Sequence, residues 1–144
     1  SNKEENKEHL LKLTKKAIED NPHDLSMKET LARLYLNMGN VKKAINVFGK
    51  EAIADYWDSH TELNTYAWFW AAQGENLEHG LEASLRSLET EPENHYYLDT
   101  AALIYWKLGN LEKAIEYQEK ALKIAPNDEG YKKRLEEIKK EMNT

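Results

Sequence analysis

At 144 residues, with 40% hydrophobic and 32% charged residues, the chain can bury one continuous core. Its net charge of -6 speaks against nucleic acid, which calls for a basic stripe to offset phosphate, and its lack of cysteine excludes disulfides and thiol chemistry. No apolar run approaches the roughly 20 residues of a membrane-spanning helix, and Ser1-Asn2-Lys3-Glu4 is not a signal peptide.

Residues 4–20 read as one helix, with Leu10, Leu11, Leu13, Ala17 and Ile18 apolar among Lys and Glu, ending at Asn21-Pro22. Ser26-x-x-Glu29 offers a capping box for the next helix, which turns at Gly39-Asn40. A partner helix then runs through Ala44, Ile45, Phe48 and Ala52 to about Ala54. Asp55 to His60 interrupt the pattern, and Ser59-x-x-Glu62 starts the next helix. Trp57 is expected to plug the gap between neighbours or, if exposed, to offer an anchor for a partner. Tyr66, Ala67 and Trp70 take the inter-helix stripe, which leaves Trp68 on another face with Asn64, Thr65 and Ala72. Gly80 then makes room for Trp70. The stretch from Tyr96 to Pro126 is the most regular, with stripes at Ala101, Ala102 and Tyr105, then Ala114, Ala121 and Leu122, on either side of Gly109-Asn110. Asn40, Asn76 and Asn110 each stand where an Asn side chain can cap a second helix. Residues 128–142 close the chain with a narrow apolar line at Tyr131, Leu135 and Ile138.

Gly39, Gly74 and Gly109 recur at a 35-residue interval, as do Thr30, Thr65 and Thr100. A hairpin of two short helices cannot bury its own face, so this period predicts stacked hairpins. The pattern resembles the tetratricopeptide repeat on Ala102, Tyr105, Gly109, Ala114, Ala121 and Pro126, and on Leu31, Ala32, Tyr35, Gly39, Ala44 and Phe48. The second copy carries Ala67, Trp70, Gly74, Gly80 and Pro92 with one extra residue after Gly74, and Gln118 stands where the family usually has an aromatic. The resemblance implies an all-α, right-handed solenoid of antiparallel hairpins with about eight helices. The repeats would span 25–58, 59–92 and 93–126, between an N-terminal helix in 1–24, a partial repeat or cap, and a capping helix in 127–144.

In such solenoids the first helices line a concave groove that commonly binds peptides. The residues in register are Glu29, Thr30, Arg33, Leu36 and Asn37, then Asn64, Thr65, Trp68, Ala71 and Ala72, then Asp99, Thr100, Leu103, Trp106 and Lys107. An acid or amide followed by Thr could hold a peptide backbone, with Trp68 and Trp106 as apolar pockets. Equally, the Thr residues could face their own fold. Only Arg33 is cationic where chaperone-tail binders clamp a carboxylate, so such peptides are expected to bind poorly.

The expected partner is therefore a protein or an extended peptide, with no nucleic acid, membrane, cofactor or metal, and no catalysis. Asp55, Ser59 and His60 have no nucleophile elbow, and His9, His23, His60, His79 and His95 are scattered without metal-ligand spacing. Two alternatives stand beside this reading. Leu63 to Trp68 and Tyr97 to Ala101 look similar to repeat segments of some bacterial thioredoxin-fold proteins, which would make the chain the tail of a larger protein. Self-association through a terminal repeat is the other. The absence of an initiator Met reads as a fragment or a processed chain, so a soluble place in the cytoplasm or, after loss of a leader, the periplasm is expected.

Overall fold

The computed structural model describes residues 2–49 and 52–144. The chain divides into two compact units, Ser1–Ala52 and Ile53–Thr144. Among the described residues there are nine α-helical segments and no strand.

The first unit contains α1 (Asn2–Asp20), α2 (Leu25–Asn37) and α3 (Val41–Phe48), with α2 packed between the other two. Asp24, not Ser26, caps α2: its Oδ1 accepts the Met27 N–H at 3.2 Å, while the Ser26 hydroxyl donates to the same oxygen at 2.7 Å. Those two bonds hold the Asp24 carboxyl below its ordinary range. The predicted Ser26-Glu29 box is thus replaced by a cap two residues upstream. Leu25, Leu31, Ala32 and Tyr35 of α2 meet a core completed by Ala44 and Phe48 of α3. Helix α1 contributes only Thr14 as a fully buried residue, leaving Leu10 and Leu13 exposed.

The predicted helix through Ala52 to Ala54 is split. Gly49 sits at φ +81°, in backbone that favours glycine, so α3 stops there. Residues 50–51 of that expected helix lie outside the described residues. A single turn, α4 (Ala52–Asp55), follows, and the split makes nine segments out of the expected eight or so.

The second unit contains α5 (His60–Gln73), α6 (Leu77–Thr90), α7 (His95–Lys107), α8 (Leu111–Ile124) and α9 (Glu129–Met142). Helices α5 and α6 form one hairpin and α7 and α8 the next; α7 also packs on α5 and α6, and α9 packs on α8. Four of these five starts are fixed by a capping side chain. Ser59 Oγ accepts the Glu62 N–H, Asn94 Oδ1 those of Tyr96 and Tyr97, Asn110 Oδ1 that of Lys113, and Asp128 Oδ1 that of Tyr131.

Asn76 departs from the expected pattern. The extra residue after Gly74 puts Asn76 in the left-handed region at φ +51°, and its side chain makes no cap hydrogen bond. Within the same hairpin Trp70 is fully buried, and a Cβ placed on Gly80 would stand 3.3 Å from the Trp70 Cβ. Gly80 therefore sets the close approach of α5 and α6. Tyr66, also buried, bonds His79 Nδ1 at 2.6 Å, and its burial pushes the phenol up to about 12. In the α7–α8 hairpin the stripe is Ala101, Ala102, Ala114 and Ala121, all buried, with Tyr105 and Tyr117 rings 5.3 Å apart. Gln118, in the place of the usual aromatic, is completely buried and donates its Nε2 hydrogen to Asp99 Oδ1 at 3.2 Å. No helix among the described residues is long and apolar enough to cross a membrane.

Candidate functional site

The candidate surface is the outer face of the first helices, and it differs from helix to helix. On α2, Glu29 and Thr30 are half-buried, whereas Arg33 and Asn37 are exposed. Burial raises the Glu29 carboxyl above its usual range, against the pull of Arg33.

On α5, Trp68 is 42% exposed, a large apolar ring left in solvent on a helix whose Phe69 and Trp70 are buried. Thr61, Thr65 and Ala72 are exposed beside it at helical spacing, whereas Ala71, expected in the same lining, is fully buried. Asn64 is half-buried, and its Oδ1 is covered without a hydrogen-bond partner in the protein.

On α7 the corresponding residues lie inside the fold. Asp99 is 9% exposed, Thr100 2% and Leu103 8%. Arg134 of α9 reaches back to pair with Asp99, which also accepts from Gln118, so the acid is fully engaged. All three side chains are covered by the fold, and only Asp99 among them is tied to α9. Trp106 stays at the rim and donates its Nε1–H to Glu141 of α9 at 2.5 Å. It lines a concavity of about 360 Å³ with Glu137, Lys140, Glu141 and Thr144. Lys107 is exposed, with its Nζ donating to the Ala71 carbonyl at the end of α5, 2.6 Å away.

The three recurring threonines share one local role. Thr30, Thr65 and Thr100 each donate to the carbonyl four residues earlier, at 3.0, 2.9 and 3.0 Å. Their hydroxyl protons are thus spent within their own helices.

Two features differ from what the residues suggest on their own. The first is a repeated histidine–tyrosine pair: His60 Nδ1 and the Tyr97 hydroxyl lie 2.7 Å apart, and His95 Nδ1 and the Tyr131 hydroxyl 2.8 Å. His60 and His95 both open a first helix, and each ties it to the helix one repeat further on, α7 for His60 and α9 for His95. The signal was present in the spacing, since both tyrosines follow their histidine by about one repeat. Ser59 as cap and His60 as tie account for both residues as structure. The second is Trp57, expected as a plug, which instead is 45% exposed with the Arg86 guanidinium 4.1 Å from its ring centroid. The chain turns away from the core after Tyr56, which takes the buried position itself.

Residues 96–128 match the family model of the tetratricopeptide repeat. No curated protein matches the sequence. Among solved structures, the chain is similar to TTC0263, a thermophilic tetratricopeptide-repeat protein of Thermus thermophilus, at 25% identity with a TM-score of 0.57, covering 92% of this chain and 72% of that one. The chain therefore carries a tetratricopeptide repeat and folds as an α-solenoid of the tetratricopeptide-repeat kind.

Proposed function

We propose that this chain is a non-catalytic docking module that holds an extended segment of another protein against the first-helix face of its second unit. Proteins of this repeat family serve in general as scaffolds for protein interaction. The observation that carries the reading is Trp68: α5 buries Tyr66, Phe69 and Trp70 yet presents this ring to solvent among small and polar neighbours. Rigid exposed aromatics are the usual anchors of such contacts. Thr65 offers an acceptor beside it, and Trp106 and Lys107 form the far rim. Asp99, Thr100 and Leu103 support the rim from beneath.

The test is selection of short random peptides on the immobilised chain, repeated on a Trp68→Ala, Trp106→Ala variant of confirmed helicity. Enriched peptides that the variant no longer retains support the proposal, and a selection without enrichment overturns it. Self-association is the second reading, favoured by Leu10 and Leu13 exposed on α1. Sedimentation at several concentrations, with and without Leu10→Glu and Leu13→Glu, decides it.

A further inference from the structure

Helix α1 holds the register of a second helix. After it, the Asn21 N–H donates to the Ala17 carbonyl at 3.0 Å and the Asp24 N–H to the Asn21 carbonyl at 3.1 Å. The same two bonds close α6, from Glu91 to Ser87 and from Asn94 to Glu91 at 3.2 Å each, and α8, from Ala125 to Ala121 at 2.9 Å and from Asp128 to Ala125 at 3.1 Å. Pro22, Pro92 and Pro126 stand at one place in these turns. Counted back from them, Leu10 takes the position of Gly80 in α6 and Ala114 in α8, and Leu13 that of Ala83 and Tyr117. Those positions meet the first helix of the same hairpin: a Cβ on Gly80 would stand 3.3 Å from the Trp70 Cβ of α5, and the Tyr117 ring lies 5.3 Å from that of Tyr105 in α7. Helix α1 packs on α2 with Thr14 buried and the Lys15 Nζ 6.0 Å from the Tyr35 ring, but no first helix of its own hairpin is among the described residues. Leu10 and Leu13 are therefore 43% and 53% exposed.

This open seat has both a size and a charge. Trp70 fits against α6 because Gly80 leaves it room, whereas Leu10 fills that room on α1, so a helix laid there must bring a small residue instead. The neighbours of the two leucines at three or four residues along the helix are Asn6, Lys7, His9, Thr14, Lys16 and Ala17. None is acidic, and among the described residues neither Lys7 nor Lys16 is ion-paired. At this spacing Cβ atoms lie about 5–6 Å apart, within the roughly 8 Å over which charge acts at physiological salt.

We infer that α1 seats an amphipathic helix of another protein, antiparallel to it as α5 is to α6, with a small residue over Leu10 and a Glu or Asp toward each of Lys7 and Lys16. The seat belongs to the first unit and is independent of the docking face proposed for the second. Two arrangements of a second copy fit it less well. Pairing α1 with α1 so that Leu10 meets Leu13 sets Lys7 of one copy against Lys16 of the other. Laying α9 on α1 brings charge instead of an apolar face, since Lys133 and Glu136 stand one repeat after Leu98 and Ala101, which share a core with Ala121 of α8.

The test is a displayed library of amphipathic helical peptides, with Ala, Leu or Phe in the seam and Glu, Ser or Lys beside it, selected on the immobilised full chain. A Leu10→Glu, Leu13→Glu variant of confirmed helicity serves for counter-selection. We expect the enriched peptides to carry Ala in the seam and Glu beside it, and to be lost on that variant. One fluorescein-labelled hit, followed by anisotropy, should bind about tenfold more weakly when its Glu residues become Lys, and Lys7→Glu with Lys16→Glu in the chain should reverse the preference. Binding should survive Trp68→Ala with Trp106→Ala; its loss there would move the peptide to α5 and overturn the inference. Enrichment of Ser or Lys beside the seam overturns the assigned charge, and hits that the Leu10→Glu, Leu13→Glu variant retains overturn the seat. If no peptide is enriched the inference falls, and a dimer in sedimentation that the same variant abolishes would then make a second copy the occupant.

Discussion

Helices α5 and α7 hold the same register 35 residues apart, yet one is open and the other closed. Asn64, Thr65 and Trp68 on α5 correspond to Asp99, Thr100 and Leu103 on α7. The first three remain at least partly in solvent, and the second three are buried. What differs is the polar lock beneath each. Asp99 carries a charge that Asn64, a side chain of the same length, lacks, and it captures Gln118 from α8 and Arg134 from α9. At the matching places in the second hairpin, Asn64 Oδ1 and Ser84 Oγ find no hydrogen-bond partner in the protein. Repeats of one backbone plan can thus carry opposite surfaces, because openness is set by two or three side chains reaching across from the following elements.

The largest expected effect separates the two hairpin cores. Trp70→Ala should destabilise the second unit by about 4 kcal/mol in a denaturant titration, since the ring is fully buried against the backbone gap that Gly80 leaves. Giving the second hairpin the third one's pair, Trp70→Tyr with Gly80→Ala after Tyr105 and Ala114, should cost less than about 1.5 kcal/mol if the two cores are interchangeable. A cost equal to that of Trp70→Ala would show that they are not.

Next comes the lock itself. Arg134→Ala leaves Asp99 charged in a mostly covered place, and we expect a loss of about 2 kcal/mol, falling to less than about 1 kcal/mol in an Asp99→Asn background. A double-mutant cycle reads this directly; equal losses in the two backgrounds would remove the lock as the cause of closure. Smaller again are the turns. Asn110→Ala should cost about 1 kcal/mol because it deletes the bond to the Lys113 N–H. Asn76→Gly should instead be neutral or stabilising by a few tenths of a kcal/mol, since glycine relieves the left-handed backbone and no cap is lost. Thermal melts of the two variants should therefore move in different directions. Smallest of all, Trp68→Ala should shift stability by less than about 0.5 kcal/mol, because the ring stands mainly in water. A larger loss would mean that the ring serves the fold.

Much of this architecture could be read from the residues. Small side chains at Ala102, Ala114 and Ala121, with Gly109 between the helices, specify how closely two helices approach, and that constraint leaves a mark in any sequence. The exposed placing of Trp68 followed from helical spacing alone. The caps were harder to read, because Asp24 and Ser26 compete for the same start and only geometry shows which captures the free N–H groups first. Gly49 looked like one more residue in a helix, whereas its positive φ ends that helix. The closure of α7 was missed for a different reason. The last helix reads from its apolar line at Tyr131, Leu135 and Ile138, but Arg134 lies one repeat beyond Asp99, and carrying the register into that helix would have paired them.

The histidine–tyrosine ties have a consequence for how the second unit could be edited. His60 and His95 stand at the same place in successive repeats, the first behind Ser59 and the second behind Asn94, both helix caps. Excising residues 60–94 would set His95 directly after Ser59, with its tie to Tyr131 kept and a capping side chain still in front of it. The cut would remove the open α5 face whole while leaving α7, α8 and α9 with every bond described among them. In this joint the protein behaves as a cassette: its docking surface comes out with one whole repeat, and Tyr97, Lys107 and Trp57, which lose His60, the Ala71 carbonyl and Arg86, are the contacts the new junction must make good.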